Sequence, residues 1–355
     1  MRIEHLRVNH LENPIGYDFS YLTLSWKVEE TITKFSDEVQ VIISEEDDMS
    51  RLVYDSGMRH NFRQCSLTLQ MILKPRTRYF WKVIIGIYNA ETQLDESTES
   101  ETAWFETGKL GEKWNADWIS APEDRTRMPV LYRDFAVESG MKKARLYIFG
   151  AGLYEVNING SKAGDEYLLP GYHSYDLLME YQTFDVTEML KKGDNRISIL
   201  LGEGWYKGRF GFDDVYLNLY GNRKKCIAEL YLEYKSGKTK LICTDGDWKA
   251  FSGNIMENGI YDGEKQDDTL ESVQLPIEAL QDDKSLLISR TSPPIRKTET
   301  FSPVSEQMHS SGYLLLDFGE AITGWVEFHG ELDWGQQIKL QYGEVLQNQE
   351  FYRDN

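Results

Sequence analysis

Short segments of alternating apolar and polar residues fill positions 131 to 208, and each segment stops at Gly, Asn or Asp. Alternation with a period of two is typical of a β-strand with one buried face, and the stopping residues favour tight turns. Aromatic and small polar residues gather at these stops instead of at the strand centres. The pattern therefore predicts a β-sandwich whose loops carry a ligand at one end.

The same pattern continues along the chain and predicts an all-β fold built from tandem β-sandwiches. Residues 1–109 contain roughly six or seven short strands, a number that suits a fibronectin-type-III-like sandwich. Trp26 and Trp81 lie within these strands, and we expect both in the core. Residues 110–290 are predicted to form a second sandwich of the jelly-roll type, with a short helix around Leu275 to Leu280.

A third unit is predicted for residues 291–355, after a linker marked by the tandem prolines at 293 and 294. A buried strand is expected at 312–319, and further strands are expected at 324–330 and 336–344. So small a sheet rarely buries an adequate core alone. We therefore interpret this unit as the beginning of a further, truncated β-sandwich domain.

The net charge argues against certain classes of binding partner, and the cysteine content indicates the cellular compartment. The formal net charge of −19 argues against nucleic acid and against an anionic membrane surface, because both require basic residues. The amino terminus lacks an apolar run of signal-peptide type, and no stretch reaches the ~18 apolar residues of a membrane span. Cys65, Cys226 and Cys243 have no CxxC spacing, so we expect free, buried thiols and a cytoplasmic protein.

Common catalytic and cofactor motifs are missing from the sequence. We find no phosphate-binding loop, no nucleophile elbow and no HExxH pattern, and we predict no cofactor. Glycoside hydrolysis needs two carboxyl groups that face each other across a cleft. The densest acidic groups, Asp213-Asp214 and residues 262–268, are predicted on loops. We interpret them as solvated acidic loops and predict no catalytic residue.

Aromatic residues at the predicted strand ends of the second sandwich suggest a sugar-binding site. Sugars are held by aromatic faces together with Asp, Asn and backbone groups that bond their hydroxyls. The competing interpretation is packing against another domain, because protein interfaces are also rich in Tyr and Trp. Both interpretations stay open. The candidate substrate-binding residues are Tyr172, Tyr175, Asp176, Trp205 and Tyr206, with Asp194 and Asn195 expected beside them.

Taken together, the motifs resemble the N-terminal part of bacterial α-L-rhamnosidases over nearly the full chain. The segments that carry the resemblance are 9–16 and 24–26 in the first sandwich, 144–148, 152–155, 159–160, 170–171, 181–187 and 204–206 in the jelly-roll, and 317–319, 324–326 and 342–344 in the third unit. Each motif is short, but their order and spacing together are specific.

The resemblance implies hydrolysis of terminal α-L-rhamnose with inversion, by an acid and a base in an (α/α)₆ barrel that follows the sandwiches. This chain lacks that barrel, so the segment alone is expected to be inactive. Its implied partners are rhamnose-containing glycosides and the missing barrel of the same protein. A homodimer is left open, as are two alternatives, a stand-alone carbohydrate-binding module and the leading domains of another multidomain glycosidase.

Some relatives of this family bind rhamnose in the jelly-roll domain through a calcium ion, and the resemblance places Asp176 in the corresponding loop. The neighbouring Leu177 and Leu178 offer no side-chain oxygen, although calcium prefers several hard oxygen ligands. Residues 262–264 resemble a second family motif, GE-x-YDAR. The motif's aromatic residue and arginine are missing from this match.

Overall fold

The computed structural model describes residues 1–29, 38–60, 67–89, 94–122, 127–211, 216–347 and 350–352. These residues divide into two compact units, 1–295 and 296–355. The described part is nearly all β, with a single 3₁₀ helix at Thr187–Met189. Within it, no helix is long and apolar enough to cross a membrane. The predicted all-β class is confirmed, while the domain limits predicted at 109 and 290 stay predictions.

The first sandwich packs a three-stranded sheet, β1-β3-β6, against a sheet of order β2-β9-β7-β4-β5 to which β8 adds beside β7. Alternate residues of the facing strands point inward, and Leu24, Val41 and Trp81 are fully buried between the sheets. Trp26 is also buried, so both tryptophans predicted as core residues are confirmed. The strands are β1 (Arg2–Val8), β2 (Ile15–Tyr17), β3 (Leu22–Glu29), β4 (Glu38–Ser44), β5 (Leu52–Asp55), β6 (Leu67–Leu69), β7 (Arg78–Asn89), β8 (Leu94–Glu99) and β9 (Ala103–Thr107).

The second sandwich contains two larger sheets with a common core. One has the order β23-β10-β17-β12-β15-β24, with β18 beside β17, and the other has the order β14-β13-β16-β11-β19-β22. The strands of these sheets are β10 (Trp118–Ser120), β11 (Pro129–Val137), β12 (Met141–Ala151), β13 (Leu153–Ile158), β14 (Ser161–Lys162), β15 (Met179–Asp185), β16 (Gly193–Gly202), β17 (Lys225–Tyr234), β18 (Thr239–Cys243), β19 (Lys249–Ser252), β22 (Val273–Leu275), β23 (Glu278–Leu280) and β24 (Leu287–Ser289). Between β19 and β22, the strands β20 (Ile255–Gly259) and β21 (Gly263–Gln266) form a separate hairpin.

The helix predicted around Leu275 to Leu280 is wrong. The structure has two short strands there, β22 and β23, which end at Leu275 and Leu280. β22 pairs with β19 and β23 pairs with β10, so the two strands extend the edges of different sheets. Pairing with strands that are distant in sequence has overridden the local preference, which a weak local pattern cannot reveal.

Strand β12 is buried on both of its faces and positions the candidate site. Leu146 and Ile148 point into the core between the two sheets. Tyr147 and Phe149, which alternate with them, point to the outer face of the same sheet. There they join a separate apolar cluster that includes Tyr175, Tyr206 and Trp118. The loops that carry the predicted site residues are therefore anchored on this outer face.

The two sandwiches are held together by buried charges at the point where the chain passes from one to the other. The carboxylate of Glu106, in β9, accepts hydrogen bonds from the Arg145 guanidinium of β12 at 2.7 and 2.9 Å. The Lys109 ammonium pairs with Glu229 of β17, and both groups are buried. The Lys109 backbone N–H also donates to the Tyr181 hydroxyl at 3.0 Å. Such groups leave water without a large penalty only when they are paired.

Residues 289–292 form a second connection, since they contact both sandwiches. The backbone N–H of Asp18 donates to the Ser289 hydroxyl at 2.9 Å, and the Tyr17 hydroxyl donates to the Ser292 carbonyl at 3.1 Å. On the other side, the Glu180 carboxylate accepts hydrogen bonds from the hydroxyls of Thr291 and Ser292. Burial alone raises the pKa of Glu180, but the neighbouring His173 together with hydrogen bonds from Ser292 and Thr291 lowers it to about 2.

In the second compact unit, the described residues form two hairpins, β25 (Ser305–Met308) with β26 (Leu314–Asp317) and β27 (Val345–Gln347) with β28 (Glu350–Tyr352). The buried strand predicted at 312–319 is shorter and largely exposed. The strands predicted at 324–330 and 336–344 are wrong, because these residues join no ladder in the structure. Alternating apolar residues form a sheet only when a neighbouring strand and an opposing layer cover them.

Candidate functional site

The five residues predicted to bind sugar lie together on two loops of the second sandwich. The Tyr175 and Tyr206 rings meet edge to face with centroids 5.5 Å apart, and the Tyr172 and Trp205 rings are 6.1 Å apart. Asp176 lines the same cleft as Tyr175 and Tyr206. Their role in sugar binding stays a prediction, but their assembly into one site is a property of the fold.

The loop that carries Trp205 and Tyr206 is held in one shape by its own backbone. The N–H of Gly204 donates to the Lys207 carbonyl at 2.7 Å and closes a tight turn. Gly208 has a φ of +130°, a conformation that residues with a side chain rarely adopt. Its N–H donates to the Asn218 side chain at 3.1 Å. The N–H of Tyr220 donates to the Tyr206 carbonyl at 3.3 Å. These bonds tie the loop to the segment at 218–220.

Tyr175 forms the floor of the site and has little freedom to move. Its ring packs edge to face against Phe149 of β12 and against the buried His173. Its hydroxyl donates to the Gly171 carbonyl at 2.5 Å, and burial raises the pKa of Tyr175 well above its ordinary value. The hydroxyl is therefore neutral and already engaged. Tyr175 can offer a ligand its ring surface more readily than a hydrogen bond.

The cleft between these loops has a volume of about 460 Å³, within the range of small-molecule sites. Three of its residues, Met179, Leu219 and Tyr220, were not predicted from the sequence. Tyr220 ends the segment Tyr216-Leu217-Asn218-Leu219-Tyr220, which is rich in apolar residues and precedes Gly221-Asn222, a signal that could have indicated a loop facing a ligand. Among the residues that the structure describes, the lining consists of Tyr175, Asp176, Met179, Tyr206, Leu219 and Tyr220.

The cleft has few polar groups, and they differ in whether they are already hydrogen-bonded. A hydrogen bond with Tyr172 is the main reason why the pKa of Tyr220 is raised, and the nearby Asp176 charge adds to it. Asp176 is exposed, and its side chain has no hydrogen-bond or ion-pair partner among the described residues. Its carboxylate can therefore accept hydrogen bonds from a bound molecule. The cleft thus combines aromatic rings, two apolar side chains and one available carboxylate.

Asp194 and Asn195 do not lie beside the aromatic residues, so this expectation is wrong. They stand at the start of β16 (Gly193–Gly202), whereas Trp205 follows its end. A ten-residue strand spans roughly 30 Å, which separates the two groups. The Asn195 amide is also engaged, since it donates to the carbonyls of Lys191 and Gly193 at 2.7 and 2.8 Å. Its role is to hold the turn before β16.

The described residues do not fit a calcium site. Among them, no group of three or more His, Cys, Asp or Glu side chains could hold a metal ion. Calcium takes 6–8 oxygen ligands, and Leu177, which follows Asp176, is exposed and supplies no side-chain oxygen. Calcium therefore has no place in the chemistry derived for this cleft.

The remaining reactive groups have structural surroundings. Cys226 is buried and Cys243 is only half-buried; burial raises the pKa of both thiols, that of Cys243 to about 11. In the acidic segment 262–268, Asp262 pairs with Arg209, and every residue except the half-buried Asp267 is exposed, as in a solvated acidic loop. Cys65 and Asp213-Asp214 lie outside the described residues.

Three family models match successive parts of the chain. Residues 3–111 match a Rha78A-like, N-terminal immunoglobulin domain, and residues 139–299 match an alpha-L-rhamnosidase N-terminal domain. Residues 307–355 match a bacterial alpha-L-rhamnosidase concanavalin-like domain. The first match supports a β-sandwich of immunoglobulin type, and the fibronectin-III subtype stays a prediction.

Similar proteins and a similar solved structure are also named α-L-rhamnosidases. An α-L-rhamnosidase of Alteromonas sp. (strain LOR) is 26% identical over 97% of this chain, and one of Formosa agariphila is 30% identical over 77%. The crystal structure of the Aspergillus terreus α-L-rhamnosidase matches 90% of the chain with a TM-score of 0.78 and 27% identity.

These comparisons, together with the fold, define a multidomain β-sandwich protein. It carries, in order, domains that match the N-terminal region of α-L-rhamnosidases. The chain spans 40% of the Alteromonas protein, 32% of the Formosa protein and 38% of the Aspergillus chain. The resemblance inferred from the sequence is confirmed.

Proposed function

We propose that this chain is the non-catalytic N-terminal portion of an α-L-rhamnosidase that removes terminal α-L-rhamnosyl residues from glycosides and supports the catalytic barrel of the same enzyme. The serial match of three domain models to the chain carries this proposal. We also propose a cytoplasmic location, supported by the free thiols of Cys226 and Cys243. Cell fractionation checks the location, and recovery from the extracellular medium would contradict it.

The 355-residue chain is expected to show no hydrolysis of an aryl α-L-rhamnoside above the enzyme-free rate. The physical reason is that inverting hydrolysis needs an acid and a base on opposite sides of the scissile bond, and the family holds both in the following barrel. Release of the aryl group is measured by absorbance. The Aspergillus α-L-rhamnosidase serves as the positive control, and robust turnover by this chain would refute the proposal.

The aromatic cleft is proposed to bind the terminal sugar of a rhamnose-containing glycoside. Tyr220→Ala is expected to weaken binding of methyl α-L-rhamnoside at least about tenfold, because Tyr220 lines the cleft and truncation of such an aromatic contact costs ~2 kcal/mol or more. Calorimetric titration of the full chain measures the affinity. Tyr21→Ala is the control, since this exposed tyrosine lies in the first sandwich and should leave binding unchanged.

The titration also separates the alternative functions. A chain that binds the sugar tightly without any catalytic partner would favour a stand-alone carbohydrate-binding module. If neither the native chain nor the Tyr21→Ala control binds sugar, the aromatic loops instead serve as packing residues for another domain, and the sugar-binding proposal fails.

A further inference from the structure

Lys109 and Glu229 form an ion pair that is cut off from water. Lys109 follows β9 in the connection between the sandwiches, and Glu229 lies in β17, 120 residues further along the chain. Their side chains are only 2% and 0% exposed. The pair therefore joins the connection to an inner strand of the second sandwich, in a place where water cannot compete for either group.

The surroundings of the lysine favour its neutral amine. Its Nζ lies 4.5 Å from the ring centre of Trp114 and 5.8 Å from the ring centre of Tyr147. Burial lowers the pKa of Lys109, and the charge and hydrogen bond of Glu229 only partly oppose this effect. An amine that gives up its proton more readily than usual has a lone pair available, and lysine side chains act as nucleophiles in this form.

The glutamate is held in a geometry that suits attack by this amine. One carboxylate oxygen, Oε2, contacts the Lys109 ammonium. The other oxygen, Oε1, accepts hydrogen bonds from the backbone N–H groups of Asn115 at 2.5 Å and Ala116 at 3.4 Å. Two backbone N–H groups on one oxygen are the arrangement that stabilises the negative charge of a tetrahedral intermediate in acyl transfer.

We propose that Lys109 and Glu229 condense to an internal amide cross-link, with release of one water molecule. A proton passes from the ammonium to Oε2, and the amine lone pair then forms the bond from nitrogen to the carboxyl carbon. Oε1 carries the negative charge of the intermediate, beside the N–H groups of Asn115 and Ala116. The bond from carbon to Oε2 then breaks, and Oε2 takes a second proton from the nitrogen and leaves as water. One cation and one anion become a neutral amide and water, so atoms and charge balance and nothing is oxidised or reduced.

A neighbouring ion pair lacks these features and supplies the comparison. The Lys143 ammonium lies 2.9 Å from Oε1 of Glu106, but the same carboxylate accepts hydrogen bonds from the Arg145 guanidinium on both of its oxygens. Because arginine does not give up its proton in proteins, it holds this carboxylate as an anion, the form that an amine attacks least readily. Lys143 and Glu106 are therefore expected to remain an ion pair.

The intact mass of the full chain, measured after denaturation, tests the cross-link. The native chain is expected to be lighter than the mass of its sequence by one water molecule, and digestion should yield a branched peptide that joins Lys109 to Glu229. Lys109→Met has no amine at this position and should show the full mass of its sequence. Lys143→Met is the matched control and should keep the loss of one water molecule.

The peptide map excludes other sources of a lost water molecule. A native chain with the full mass of its sequence overturns the proposal, and this measurement does not depend on the folding of any variant. A loss of water that persists in Lys109→Met also overturns it. The same holds if digestion places the loss at Asp262-Gly263, because an aspartate before glycine can lose water to its own backbone. A branched peptide that joins Lys109 to Glu229 in the native chain, and is absent from Lys109→Met, supports the cross-link.

Discussion

Replacement of Glu106 by glutamine is expected to lower the free energy of unfolding by about 3–5 kcal/mol at neutral pH. The Glu106 side chain is fully buried, and its carboxylate lies 2.9 Å from the Lys143 ammonium and 2.9 Å from the Arg78 guanidinium. It also forms the two-bond contact with Arg145 described above. Glutamine keeps the shape but removes the negative charge. The buried Arg145 and the half-buried Lys143 would then face each other, with Asp185 paired to Arg145 and Glu233 near Lys143 as remaining negative charges.

The pH dependence of the same variant provides an independent check. Burial alone raises the pKa of Glu106, but the hydrogen bond and charge of Arg145, with the charges of Lys143 and Arg78, lower it overall. A group with a lowered folded-state pKa contributes stability above its unfolded-state pKa and loses it as the pH falls through the folded value. The native chain should therefore lose this contribution below about pH 4.3, the ordinary glutamate pKa, and Glu106→Gln should lack that loss.

Glu138→Gln is the matched control for this prediction. Glu138 also pairs with a lysine, Lys238, at 2.7 Å, but both side chains are more than half exposed. Exposed pairs contribute about 0–1 kcal/mol, so this variant should unfold almost as the native chain does. Urea titration followed by tryptophan fluorescence measures all three proteins. Similar losses in both variants would show that the Glu106 network is not what stabilises the contact between the sandwiches.

Most of the fold could be predicted because its strands obey local rules. In β13 (Leu153–Ile158) every second residue is buried, and the strand ends at Asn159-Gly160, where both residues have positive φ. Both signals are visible in the sequence. The contact between the sandwiches could not be predicted in this way. Charged residues such as Glu106 and Arg145 usually lie at the protein surface. Only the contact between β9 and β12 makes these two residues buried partners.

The candidate site could also be predicted only in part, because some of its residues follow local sequence patterns and others are brought together only by the fold. Tyr172, Trp205 and their neighbours were predicted because aromatic residues beside glycines in loops are unusual. Leu219 and Met179 were missed because their meeting depends on how the start of β15 and a segment 40 residues further along the sequence fold onto one face. Asp194 was misplaced for a related reason: a strand has two similar ends, and the sequence does not say which one faces the aromatic loops.

Gly16→Ala is expected to destabilise the chain by about 2–5 kcal/mol through the close approach of the two sandwiches. Gly16, in β2, has a φ of +80°, and a Cβ atom there would lie 2.2 Å from the Cβ of Thr183 in β15. The left-handed conformation costs a residue with a side chain ~1–2 kcal/mol, and overpacking adds ~1–3 kcal/mol. The loss of stability should exceed the loss caused by the same substitution at a glycine that also has a positive φ but has open space around the added Cβ. Urea titration measures the loss.

Gly57→Ala supplies that comparison, because Gly57 has a φ of +62° and no atom within 4 Å of the added Cβ. It should cost only the ~1–2 kcal/mol of the backbone term. Thr183→Gly then tests the contact itself: in a double-mutant cycle, it should make Gly16→Ala less costly by about 1–3 kcal/mol, whereas distant sites add independently. Additive losses for the Gly16 and Thr183 changes would mean that the two strands tolerate an extra methyl group, and that the glycine is not what lets the sandwiches meet.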